Sequence, residues 1–161
     1  MNSAGQRLTP TPAEARREVE EALTKAEALR KERRYQEGIE LLLTALRHGL
    51  ERDKIYFRLG NIYFDAGELE KAELAYKKAI EANPEHVNAH HNLSVVYRRQ
   101  GRIGEYIKLR KRALKLVQRH PEQVQLTPEQ LQLARRWAWR LLLTVLGIIA
   151  ALALALFLLA R

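Results

Sequence analysis

The chain contains no cysteine, so disulfides, thiol nucleophiles and thiolate metal sites are excluded. The stretch from Met1 to Arg17 has no apolar core of the kind a secretory signal needs. There is no glycine-rich phosphate loop, no nucleophile–base pairing and no catalytic carboxylate pair, so nothing in the sequence argues for an enzyme or for a cofactor. No nucleic-acid motif and no aromatic stacking platform occur either. What remains is a chain of 161 residues, enough for one small domain and its accessories, whose information lies in its periodicity.

The most ordered stretch runs from Tyr56 to Pro84: Tyr56-x2-Leu59-Gly60-x2-Tyr63, then Ala72-x3-Tyr76, Ala79 and Pro84. Small residues at 60, 72 and 79 suit a close approach of two antiparallel helices, with Tyr56, Leu59, Tyr63 and Tyr76 filling the gaps around them. Gly67 ends the first helix and Pro84 stops the second. A step of 34 residues back lands on Ala26, Gly38 and Ala45, and a step forward on Ser94, Tyr106 and Ala113. The pattern closely resembles the tetratricopeptide repeat (TPR) family, with three copies at about 19–52, 53–86 and 87–120. The third copy departs from it, with Tyr106 at a small-residue position and Arg110 at an aromatic one, as terminal repeats do when they cap an array.

The expected fold is therefore all-α, a helical hairpin array of three repeats over residues 12–120 behind a loose tail at 1–11. Thr11-Pro12-Ala13-Glu14 is a helix start, with Thr11 as N-cap and Glu14 closing a capping box. Helices are expected from there to about Arg33, and at 35–49, 53–66, 69–82, 87–100 and 103–119. Residues 121–136 form a connector and the start of a C-terminal helix beginning at Thr127-Pro128. Its first turns (Leu131, Leu133, Ala134) are placed to cover repeat three, and the helix continues unbroken into a span at 137–160.

Residues 141–160, LLLTVLGIIAALALALFLLA, carry no charge. At 1.5 Å per residue such a run covers roughly 30 Å, a bilayer's hydrocarbon thickness, and it reads as a single-pass transmembrane anchor. Arg135, Arg136 and Arg140 precede it and only Arg161 follows, which places the head in the cytoplasm by the positive-inside rule. Trp137 and Trp139 fall where interfacial aromatics belong. Gly147, Ala151 and Ala155 form a small-residue stripe on which another helix packs.

By the resemblance, a TPR array holds an extended or helical peptide along a concave face lined by the first helix of each repeat. The positions carried over are Leu23, Glu27 and Arg30, then Phe57, Asn61 and Phe64, then His91, Val95 and Arg98. Phe57 and Phe64, two turns apart, read either as peptide anchors or as packing against neighbouring helices. The carboxylate clamp of chaperone-tail receptors is not reproduced, because Leu23, Glu27, Arg58, Asn88 and Asn92 stand at its places. His86 and His90 have a metal-like spacing, but His90 takes the core position of Tyr56, so a structural role is expected and no metal.

The net charge of +9 is concentrated in repeat three. There Arg98, Arg99, Arg102, Lys108, Arg110, Lys111, Arg112, Lys115 and Arg119 face the single acid Glu105. This basic patch fits anionic lipid headgroups or an acidic protein partner, and not nucleic acid. The expected function is a non-catalytic scaffold or adaptor at the cytoplasmic face of a membrane, as an assembly factor or accessory subunit of a membrane protein complex. The Arg-, Leu- and Ala-rich style favours a bacterial inner membrane. The alternatives are a tail-anchored organelle adaptor, similar in layout to the mitochondrial fission adaptor, and a regulator of an enzyme.

Overall fold

The first helix begins where local chemistry dictates. The Thr11 hydroxyl accepts from the Glu14 amide at 3.3 Å, and the Glu14 carboxylate accepts from the Thr11 amide at 2.8 Å, with Pro12 occupying the first helical position. In the computed structural model, which describes residues 10–121 and 135–149, this start opens α1, Pro12–Lys31. It is followed by α2 (Tyr35–Ala45), α3 (Arg52–Asp65), α4 (Leu69–Ala82), α5 (Val87–Arg99) and α6 (Ile103–Arg119). No strand occurs among the described residues.

The helices pair in chain order as three hairpins, α1 with α2, α3 with α4 and α5 with α6. Each hairpin turns on the same device. Arg33, Gly67 and Gly101, spaced by the 34-residue step, are left-handed, with φ of 62°, 82° and 75°. After each, the amide of the next residue returns to a carbonyl of the preceding helix: Arg34 to Leu29, Glu68 to Tyr63 and Arg102 to Tyr97, at 2.8–2.9 Å. That is the Schellman closure of a helix end, made three times in register. Helix α1 stops at Lys31 rather than Arg33 because Arg33 is the left-handed residue. Helix α2 ends at Ala45, short of 49, and passes through a 3₁₀ turn at Leu46–His48 to left-handed Gly49.

The core follows the small-residue pattern. Ala26, Ala72 and Ala79 are fully buried, and Ala45, Ser94 and Ala113 nearly so. Val19, Leu42, Ile55, Leu59 and Ile62 form one apolar cluster between the first two hairpins. Tyr76, Leu93, Val96 and Tyr97 form a second, between the last two. At Gly60 the approach of α3 to α4 is closest: a Cβ there would lie 2.5 Å from the Tyr76 ring. At Gly38 the obstacle is only the Ile62 Cδ1 methyl, 2.9 Å away, the free end of a flexible side chain. Tyr106 stands half-buried where a small residue was expected, its ring flanked by Arg98 and Arg110.

No helix among the described residues is long and apolar enough to cross a membrane. Residues 135–149 are helical and exposed, and contain the first part of the uncharged run; its remainder at 150–160 lies outside the described residues. So do the tail at 1–9, the connector at 122–134 with Leu131, Leu133 and Ala134, and the stripe members Ala151 and Ala155. Gly147 is described, and a Cβ there would meet nothing within 4 Å.

The two glycines separate in a test. Gly60→Ala is expected to cost about 2 kcal/mol through overpacking against a rigid ring, a fall in Tm of roughly 8 °C. Gly38→Ala is expected to stay within about 0.5 kcal/mol of the parent, since the helix-propensity gain offsets a small shift of the Ile62 methyl. Equal losses in thermal melts of the two variants would contradict the assignment of Gly60 as the site of closest approach.

Candidate partner-binding cleft

The first helices of the three hairpins converge on one polar cleft of about 270 Å³. Helix α1 contributes Arg30, α3 Asn61, Phe64 and Asp65, α5 Asn92 and Val95, and Tyr76 of α4 forms the floor. Four of the nine expected groove residues, Arg30, Asn61, Phe64 and Val95, therefore meet in one place. Asp65, Tyr76 and Asn92 complete the cleft and were not read from the sequence as groove residues. Asn92 carried the only signal, as a clamp position holding the wrong side chain.

The cleft is prepared by hydrogen bonds. The Asn61 Oδ1 accepts from the Tyr76 hydroxyl at 2.8 Å and from the Asn92 amide at 2.9 Å, and the Asn92 amide also reaches the Tyr76 oxygen at 3.3 Å. Burial pushes the Tyr76 hydroxyl far above its usual range, so it remains a neutral donor. At one rim Arg30 is gripped by Glu27 at 2.8 and 3.0 Å and by Asp65, while Arg58 reaches Glu27 at 3.2 Å. The Arg30 bond, aided by the charges of Arg30 and Arg58, holds the Glu27 carboxyl below its usual range against the opposing effect of burial. A cleft with fixed amide groups, one apolar side chain on each flank and both charges at its rim suits a peptide backbone, whose own groups need both donors and acceptors.

Glu27 stands at the rim through its bonds to Arg30, and the other expected groove positions lie elsewhere. Leu23 packs against the first core cluster. Phe57 does not reach the cleft: its ring lies 4.8 Å from that of His86 and 6.0 Å from that of Tyr76, inside the seam between hairpins two and three. Phe64 both lines the cleft and carries the Arg99 guanidinium 4.2 Å above its ring. His91 and Arg98 are exposed outside it.

The basic patch divides in two. Arg99 stacks on Phe64, Arg102 stacks on Tyr97 and bonds Glu73 at 2.9 Å, Arg110 donates to the Tyr106 hydroxyl at 2.8 Å, and Arg98 lies over the same ring. These four pack within the third hairpin or join it to the second. Lys108, Lys111, Arg112, Lys115 and Arg119 instead line a separate cleft along α6.

The family comparison covers part of this array. Residues 60–101 match the TPR repeat model. Among solved structures the chain is similar to a crystal structure of MamA, at 26% identity with a TM-score of 0.60, covering 65% of this chain and 61% of that one. A second MamA crystal structure gives 26% identity and a TM-score of 0.57, with coverage of 68% and 61%. A third, of MamA AMB-1, at 23% identity, shares the fold with a TM-score of 0.56 over 66% and 63%. The chain thus spans about three fifths of the length of the structures it matches. No curated protein matches it.

His86 and His90 are structural elements of the second and third hairpins. His86 Nδ1 accepts from the Ala89 amide at 3.3 Å and caps α5. His90 is buried at the position equivalent to Tyr56, with Nε2 2.9 Å from the Pro84 carbonyl and Nδ1 without a partner among the described residues. Burial lowers the pKa of both below the ordinary 6.5. As pH falls through 6.5 the unfolded chain takes up protons first, so stability is full above 6.5 and declines toward the lowered folded values. Thermal melts are expected to show a falling Tm between about pH 7.5 and 5.5. His90→Phe keeps the ring, removes one of the two titrations and is expected to reduce that slope by roughly half. An unchanged slope would show that His90 does not carry it.

Proposed function

We propose that this chain is a non-catalytic, membrane-anchored scaffold of three TPR units that holds a protein segment in the cleft of Arg30, Asn61, Phe64, Asp65, Asn92 and Val95, at the cytoplasmic face of a membrane. The observation that carries the reading is the Asn61–Tyr76–Asn92 network, which fixes amide groups facing a cleft built from all three first helices. The similarity to MamA supports a protein-interaction scaffold of this fold. Three Schellman-closed hairpins in 34-residue register support extending the TPR assignment from residues 60–101 to the first and third hairpins.

Membrane anchoring is inferred from the uncharged run at 141–160, flanked by Arg135, Arg136 and Arg140 and by Trp137 and Trp139. With a head of this size and one span, an assembly factor or accessory subunit of a membrane protein complex is the role proposed, in a bacterial inner membrane.

Native capture from detergent-solubilised membranes tests both halves. Val95→Arg fills the cleft from its α5 side and is expected to reduce recovery of the bound partner at least tenfold, with Tm changed by less than about 3 °C. Replacing residues 141–160 with a soluble linker is expected to move the protein from the membrane to the soluble fraction. Undiminished capture by Val95→Arg would remove the cleft from the reading. Continued membrane association without the run would remove the anchor.

A further inference from the structure

Six cations of the first two hairpins, Arg30, Arg34, Lys54, Arg58, Lys71 and Lys77, pair with carboxylates, and others such as Lys25, Lys31 and Arg52 stand dispersed along the surface. On α6, Lys108, Lys111, Arg112, Lys115 and Arg119 have no carboxylate partner among the described residues. The cleft they line has a volume of about 820 Å³ and holds two acids, both already engaged. Glu105 bonds Arg102, and Glu85 lies 3.2 Å from His120.

The spacing makes this more than a charged surface. Lys108, Arg112, Lys115 and Arg119 fall at i, i+4, i+7 and i+11, one stripe along a single helix face. Over its length of about 16 Å the stripe offers a row of positive charge. Beside it the cleft has an apolar floor, supplied by Tyr97, Leu109 and Leu116. Holding like charges side by side costs energy that an occupant of opposite charge recovers. A flat arrangement of basic side chains would suit lipid phosphates or a nucleic-acid backbone equally well. An apolar floor beside a basic rim adds a demand for apolar side chains interleaved with the acids.

We propose that the α6 cleft is a second docking site, taking an acidic amphipathic segment of a protein partner whose carboxylates meet the Lys108–Arg119 stripe while its apolar side chains lie on Tyr97, Leu109 and Leu116. It is built from α5, α6 and the α4–α5 loop, whereas the polar cleft draws on α1, α3, α4 and α5. The two lining sets share no residue. The scaffold thereby holds two segments at once, one recognised mainly by backbone-type hydrogen bonds and the other by charge.

The test uses the full chain in an uncharged detergent and a fluorescent peptide of about 14 residues, Glu and Leu placed at helical spacing, followed by anisotropy. The peptide is expected to bind, at least tenfold more weakly when its leucines are replaced by serine, and at least tenfold more weakly to the double variant Lys108→Glu, Lys115→Glu. Both substituted positions are exposed, so Tm is expected to hold; Lys108→Gln with Lys115→Gln provides a milder variant with an intermediate loss. Affinity is expected to fall with added salt. Binding that is absent, or indifferent to the charge reversal or to loss of the leucines, would overturn the proposal. So would tighter binding to phosphatidylglycerol vesicles or to a short DNA duplex than to the peptide. Val95→Arg is expected to leave peptide binding unchanged, which separates this site from the polar cleft.

Discussion

The contact between Gly60 and the ring of Tyr76 is the constraint on which the rest of the structure depends. Because residue 60 has no side chain, the ring fits closely against α3 and is 1% exposed. A ring seated there places its hydroxyl at Asn61 on the same helix and within reach of Asn92 on the next hairpin. One close approach thus sets the packing inside the second hairpin, the seam to the third and the floor of the polar cleft. Gly38 and Ala26, the equivalent small pair in the first hairpin, produce no such network, since Leu42 occupies the position of Tyr76 and has no polar end.

Charge performs the same joining task at the rims. Glu27 of α1 takes Arg58 of α3, Asp65 of α3 takes Arg30 of α1, and Glu73 of α4 takes both Gln100 and Arg102 at the turn of the third hairpin. Each of these bonds crosses from one hairpin to the next. Exposed ion pairs contribute little singly, but Glu73 has only 14% of its side chain exposed and three partners, a setting where charge-assisted bonds count for more. A repeat array is stabilised mainly by its nearest-neighbour interfaces, and these bonds lie at them.

The sequence displayed most of the fold because the period of 34 is imposed by backbone geometry. Small residues must recur where helices touch, and a left-handed residue must recur where each hairpin turns. Among the three hairpin turns only Arg33 is not a glycine, and its place one step before Gly67 is what marks it. The candidate site was less legible. Spacing tells which face of a helix a residue occupies, and Arg30, Asn61, Phe64 and Val95 do lie around one cleft. It does not say how far a side chain reaches, so Tyr76, a core residue by pattern, supplied the cleft's hydroxyl. Phe57, a groove residue by pattern, turned instead into the seam against His86. The basic patch looked uniform in sequence and separated only when four of its members found aromatic or acidic partners.

Helix α6 shows what happens where the repetition stops. Glu73 and Ile80 on α4 are covered by the third hairpin, and Leu69 packs with the same cluster. Their counterparts one step on are Ile107, Leu114 and Ile103, and all three are exposed among the described residues. The face that α4 presents to its successor is thus reproduced on α6 in a more apolar form. The basic stripe has the same spacing displaced by five residues: Lys108 after Ile103, Arg112 after Ile107, Arg119 after Leu114. Five residues turn a helix by about 140°, so the two stripes face well apart. An apolar stripe in the register of a continuing array calls for a further helix packed as α5 packs on α4. A charged stripe on another face remains open once that packing is satisfied. The two stripes make compatible demands, since they lie on different sides of one helix.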